Sequence, residues 1–299
     1  MPDPLVQEQH PEEPQVPRVS AVLVAYRQST ALRRAIEALE HSRDRERLEI
    51  LVVDCGSQDD TTQIDSEYPA VTMLRLPHHL GSARAMNIAS RTAKADLLLF
   101  LSPDVEVAPE TVSALADRLD ADESSVAAAP MLTAPDGSPA LTSGNLPTRE
   151  TLEAVCRGGA YPRTSIDTAQ ESVAVEYAGL EALLIRKQFV RGMNYFDQRY
   201  GHYWPEADLA MQIRRAGKKI RVYPAIRAVL HPAPDPLADD PLAQADRICG
   251  AAAFLGKYDG FLAGFGFRLS AALRALGRFD LGQAGALLGG SKLDGSQAG

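Results

Sequence analysis

Three cysteines in 299 residues (Cys55, Cys156 and Cys249) are odd in number and far apart. They frame no disulfide scaffold, and no CxxC spacing marks a zinc site. Their scarcity fits a reducing compartment, so a cytoplasmic protein is expected. Also missing is any apolar run of the ~18–20 residues that a membrane span needs. The first residues, MPDPLVQEQHPEEPQVPR, lack the basic-then-apolar order of a secretion signal. They are rich in Pro and Glu, and residues 1–17 are expected to be a disordered leader. Positive charge is in deficit, since 31 Lys and Arg against 39 Asp and Glu leave a net charge of −8. That balance argues against a nucleic-acid partner, which requires a basic surface. A nucleotide ligand is compatible with it only where a metal ion or backbone donors offset the phosphates. Internal repeats are absent as well. A hydrophobic content of 45% with 23% charged residues is that of a folded chain.

What is present is an alternation. VSAVLVAY (19–26) reads as a buried strand, and STALRRAIEALEHSR as a helix with Leu32, Ile36 and Leu39 on one face and Ser29 or Thr30 as N-cap. LEILVVD is a second strand, TTQIDSEY a short helix, VTMLRLP a third strand and GSARAMNIASRTAK a helix. ADLLLFLSPDV is a fourth strand. PETVSALADRLDAD is a helix entered by Pro109, and VAAAPMLT a fifth strand. Strands alternating with helices at this spacing imply βαβ units, hence an α/β fold with a mostly parallel central sheet flanked by helices. Right-handed crossovers bring the strand ends to one edge, where ligands bind in open α/β sheets. Asp54 and Asp104 both close apolar strands and project to that edge.

Residues 134–172, rich in Pro, Gly, Ser and Thr, read as a long loop or lid. After them, VEYAGLEALLIRKQFV predicts a strand and a basic helix start. NYFDQRYGHYWPEADLAMQIRRAG carries aromatics before a pair of acids, and IRVYPAIRAVLHP ends this half with a strand and His231. A helical C-terminal extension follows over 236–299, with helices at 240–257 and 261–289. The second is amphipathic: Phe261, Leu262, Phe265, Phe267, Leu269, Leu273 and Leu276 alternate with Arg268, Arg274 and Arg278. It suits a peripheral contact with a membrane, packing on the catalytic domain, or a homodimer contact.

In order and spacing, VSAVLVAYRQ, LEILVVDCGSQDDT, LGSARAMNIASRTAKADLLLFLSPDVEV, AGLEALLIRK, YFDQRYGHYWPEADLAMQIRRAG and VLHP resemble the inverting nucleotide-sugar glycosyltransferases of family 2, above all the rhamnosyltransferase-like members that build bacterial surface polysaccharides. The resemblance implies a GT-A fold over 18–235 and transfer of a sugar from a UDP-, dTDP- or GDP-linked donor to a glycan or lipid-linked acceptor hydroxyl, at the inner face of the membrane. Asp54 matches the acid that bonds the nucleoside base, with Ala25 and Tyr26 lining the same pocket and Asn87 near the donor. Arg84 is either near the donor or on a solvated face, and Asp96 suits a structural turn. Asp104 matches the last acid of the metal motif for Mn²⁺ or Mg²⁺, and His231 a further metal or diphosphate contact or a structural residue. Gly179 matches a glycine beside the donor sugar and also suits a tight bend. Tyr203 and Trp204 stack on an acceptor sugar or belong to the core.

Glu206 stands at the position of the general base, with helix-start acid as its alternative role. Asp208, two residues on, caps or orients the helix. Four letters depart from the family pattern: Cys55 for Asn, Asp60 for Gly, Ser102 for the first acid of the metal motif, and Pro205 for an acid beside the base. They keep open a second reading, a catalytically weak or inactive GT-A domain that binds a nucleotide or glycan or acts as a scaffold. A nucleotidyltransferase is disfavoured, because VAYRQST has no Gly-rich basic loop after the first strand.

Overall fold

The computed structural model describes residues 16–238, 240–290 and 293, so most of the expected leader lies outside the described residues. The chain runs β1 (Val19–Ala25), α1 (Ser29–Glu40), β2 (Leu48–Asp54), α2 (Ile64–Glu67), β3 (Thr72–Arg75), α3 (Ser82–Thr92), β4 (Leu97–Leu101) and β5 (Val105–Val107). It continues through α4 (Thr111–Asp120), β6 (Ser125–Thr133), β7 (Ser143–Gly144), α5 (Arg149–Cys156), β8 (Val173–Val175), β9 (Tyr177–Ala178), β10 (Ala182–Arg186) and α6 (Lys187–Gly192). Next come α7 (Pro205–Arg215), β11 (Lys219–Leu230), α8 (Pro241–Tyr258), α9 (Phe261–Gly277) and α10 (Leu281–Gly289).

The main sheet is ordered β3-β2-β1-β4-β10-β6-β11-β5, with β8 on the side of β11. Its first four strands are parallel throughout, and β10 enters antiparallel between β4 and β6. The strands of the parallel half are apolar without interruption because both faces are covered, and their period of two sorts the side chains between two cores. Ala21, Leu23, Ile50, Val52 and Leu99 face α1 and α4. Val22, Leu51, Val53, Leu98 and Phe100 face α3, and that core continues through α7 into α8 and α9.

Three local expectations change. Neither Ser29 nor Thr30 caps α1: the cap position is Gln28, and the N–H of Ser29 reaches the Asp59 carboxylate instead, at 3.3 Å. Pro109 precedes α4 rather than entering it. The 134–172 segment also holds α5, whose first turn is capped by the Thr148 hydroxyl accepting from the Thr151 N–H. Apolar Leu152 and Val155 with the Thr148 cap form that helix inside an otherwise turn-rich stretch.

Candidate active site

At the carboxyl ends of β1 and β4 the sheet opens into a cleft of about 350 Å³. Ala25 and Tyr26 form one wall, and Ser102-Pro103-Asp104 the floor. Leu180 and Glu181, just before β10, form a second wall, and the first turn of α7 supplies Glu206. A strap of residues 233–237 covers the remaining side. The register of β4 against β10 pairs Leu101 with Ala182, and the Ser102 N–H donates to the Glu181 carbonyl at 2.8 Å. This pairing brings the Asp104 charge within electrostatic reach of the Glu181 carboxyl.

Both carboxylates carry a buried oxygen with no partner: Oδ1 of Asp104 and Oε2 of Glu181. Burial, with the nearby Asp104 charge, pushes the Glu181 carboxyl above the usual carboxylate range. Glu206 is pushed up to about 7, chiefly by burial and also by Glu181, while the Tyr177 hydroxyl, donating to its Oε1 at 3.2 Å, pulls it down. Among the described residues, four carboxylates line the cleft (Asp104, Glu181, Glu206 and Asp235), and no Lys or Arg does. Two guanidinium groups stand next to lining residues: that of Arg163 lies 3.8 Å from Glu181, over the faces of Tyr161 and Tyr177, and that of Arg27 lies over the Tyr26 ring.

A divalent cation fits this floor. Among the described residues no group of three or more metal-ligating side chains converges. Mg²⁺-type ions, however, are held by one or two carboxylates together with substrate phosphates. The orphaned oxygens of Asp104 and Glu181 are the donor atoms such an ion would satisfy, and hard oxygens are its preferred ligands.

The remaining expected residues are placed differently. Asp54 is buried beside Ala25 without lining the cleft; its Oδ1 accepts from the Ser57 N–H at 2.9 Å, and the Ser57 hydroxyl in turn accepts from the Arg27 N–H. It thereby shapes the turn that carries Tyr26. Asn87 lies outside the cleft, because its carboxamide both donates to the Phe196 carbonyl and accepts from the Phe196 N–H, each at 2.8 Å. His231 turns away from Asp104: its backbone N–H donates to the Asp104 carbonyl, while its Nε2 meets Glu106 at 2.7 Å. Gly179 does not line the cleft; the Glu181 carboxylate folds back over it, so that a Cβ there would sit 1.7 Å from a carboxylate oxygen. Trp204 is core, its indole N–H donating to the Arg247 carbonyl, and the Arg247 guanidinium lies over the Tyr203 ring. Asp60 is exposed on a 3-10 turn, away from the cleft.

Glu181, Tyr177 and the two histidines His79 and His202 complete the site and were not singled out from sequence. A lone acid within AGLEALL, otherwise wholly apolar or glycine, was the available signal for Glu181. His202 accompanies Ser82 at 2.6 Å, and burial lowers it to about 4, so it is neutral.

A glycosyl transferase family 2 model matches residues 20–159. The chain is 29% identical over 231 residues to N-acetylglucosaminyl-diphospho-decaprenol L-rhamnosyltransferase of Mycobacterium tuberculosis, in strains CDC 1551 and H37Rv alike, across 70% of this chain and 74% of the relative. Its fold superposes on GalNAc-T7, solved with UDP, GalNAc and Mn²⁺, with a TM-score of 0.57 at 16% identity. That match spans 74% of this chain but only 45% of the other. The fold is therefore GT-A, and residues 20–159 within it are similar to glycosyl transferase family 2.

Proposed function

We propose that this chain transfers a sugar, with inversion, from a nucleoside-diphosphate donor to an acceptor hydroxyl in the synthesis of a bacterial surface polysaccharide or glycoconjugate. The observation that carries the reading is the meeting, in one cleft at the strand ends, of Asp104 with an orphaned buried oxygen and Glu206 held near neutrality. Asp104, with Glu181 beside it, would hold Mn²⁺ or Mg²⁺, which when bound neutralises the leaving diphosphate. Ala25 and Tyr26 would flank the nucleoside. Glu206 would accept the acceptor hydroxyl proton as that oxygen bonds to the anomeric carbon and the bond to the donor phosphate breaks. A carboxyl with a value near 7 is poised as a base at neutral pH, and such transfer is worth roughly 10²–10⁴ in rate. The name of the mycobacterial relative supports a lipid-diphosphate-linked acceptor and a rhamnosyl donor.

Thermal shifts with UDP, dTDP and GDP, with and without Mn²⁺, test this on wild type and Asp104→Ala. A nucleotide at ~100 times its dissociation constant should add about 2.7 kcal/mol of stability. Cation-dependent stabilisation by one nucleotide, lost in Asp104→Ala, is the expected result. Glu206→Gln should keep that shift and lose sugar transfer by about a hundredfold or more. Stabilisation without turnover in wild type, over a panel of sugars and acceptors, would favour the binding-only reading instead.

A further inference from the structure

The segment over 134–172, read from sequence as a loop or lid, sends Arg163 to the acids of the cleft, and the fold leaves that side chain little freedom. β7 pairs with β9, Ser143 opposite Ala178 and Gly144 opposite Tyr177, and the Thr164 N–H also donates to the Ser143 carbonyl at 2.8 Å. A Cβ on Gly144 would lie 2.8 Å from the Pro162 carbonyl, so the glycine is what lets the two segments approach. The guanidinium is then fixed by three contacts. Its Nη1 donates to the Thr142 carbonyl at 2.7 Å. It lies over the rings of Tyr161, at 4.9 Å, and Tyr177, at 5.2 Å, which stack on each other. Its Nη2 stands 3.8 Å from Oε1 of Glu181, the two side chains being 23% and 28% exposed.

Arg163 does not itself line the cleft, so its charge works through Glu181, which does. Burial raises the Glu181 carboxyl, and Arg163 acts against that rise. A carboxylate withdrawn from water needs a counter-charge, and Arg163 supplies it. Glu181 is also one of the two carboxylates suited to a divalent cation. Its Oε1 is paired with Arg163, while its Oε2 is buried without a partner. A guanidinium and a divalent cation drawn to the same carboxylate repel each other. We propose that Arg163 is a positioning residue, the resident counter-charge of Glu181 in the cation-free cleft, and that it competes with the divalent cation for that carboxylate. This rests on the reading of Asp104 and Glu181 as the cation site. The competition would keep a cation alone weakly bound and favour one that arrives with a diphosphate.

The test is calorimetric titration of the full chain with Mn²⁺ alone, beside melting temperatures in EDTA and in saturating Mn²⁺. The chains compared are wild type, Arg163→Gln, Arg163→Lys, and Arg163→Gln combined with Glu181→Gln. Arg163→Gln should bind Mn²⁺ about tenfold more tightly than wild type, because one like charge has left the carboxylate. It should melt below wild type in EDTA and recover in Mn²⁺, where the cation replaces the missing charge. A purely structural arginine would leave a loss that Mn²⁺ does not restore. Arg163→Lys keeps the charge, and its affinity for Mn²⁺ should stay within about threefold of wild type. The double variant should show neither the tighter binding nor the recovery. Unchanged or weaker Mn²⁺ binding by Arg163→Gln, or tightening that survives in the double variant, would overturn the inference. So would an Arg163→Gln chain that folds neither in EDTA nor in Mn²⁺. Stabilisation of wild type by a nucleoside diphosphate with Mn²⁺ reports on the donor site separately. Where it is present and Arg163→Gln gains nothing, the competition fails and the donor site stands; where it is absent, the donor site itself fails.

Discussion

Glu206 takes its properties from three neighbours. Trp204, immediately before α7, is held in the left-handed region at φ 76°, a conformation that a bulky residue adopts only when its surroundings enforce it. Its indole bond to Arg247 is that enforcement, and it fixes where Pro205 starts the helix and where Glu206 points. Glu181 adds a like charge, and the Tyr177 hydroxyl favours the ionised carboxylate. The base must be deprotonated to act, so kcat/KM should rise with pH through an acidic limb near 7. Tyr177→Phe removes the group that pulls Glu206 down, and the limb should move to higher pH in a pH–rate profile. A limb that stays in place would show that the tyrosine does not touch the base in solution. The same raised value has a stability consequence of defined sign. The folded protein keeps the Glu206 proton at pH values where the unfolded chain has given it up, so stability is lost as pH rises from the ordinary value of 4.5 toward about 7.

At the scale of elements, α7 is fastened to the C-terminal helices by a buried acid. Asp208, 1% exposed, accepts from the Tyr200 and Tyr258 hydroxyls and pairs with the Lys257 ammonium at 2.8 Å. Lys257 also meets Asp197, which burial alone would raise but which Arg199, its own backbone contacts and Lys257 hold down at about 2. Lys257→Met strands Asp208 as an uncompensated buried charge, and urea unfolding should show a loss of about 3–5 kcal/mol. The strands and helices of the parallel half were legible in sequence because each is a long apolar run or a helical stripe closed by Gly, Pro or acids. Asp104 and Glu206 were legible for a related reason, standing where apolar periodicity stops. The place of Asn87, and the choice between the two roles left open for His231 and for Trp204, depend on partners more than 40 residues away, Phe196, Glu106 and Arg247. Local spacing carries no trace of such bonds. Glu181 escaped notice because its fold-back over Gly179 belongs to the tertiary structure.

For the whole molecule, charge sets the terms of binding. A cleft lined, among the described residues, by four carboxylates and no Lys or Arg, in a chain of net charge −8, repels a diphosphate unless a cation accompanies it. Calorimetric titration should find binding of a nucleoside diphosphate abolished by EDTA, while the uncharged nucleoside binds equally weakly with and without metal. Diphosphate binding that survives EDTA would point to Arg163 swinging in from behind Glu181 as the counter-charge. The Asp208–Lys257 pair, finally, bears on how this chain can be inherited and recombined. Half of it comes from α7, the helix that carries Glu206, and half from the first helix after the strap, so neither segment can be traded between relatives without the other. Whatever the C-terminal helices contribute would then pass from protein to protein only in company with α7, with the seam of exchange lying upstream of Tyr200.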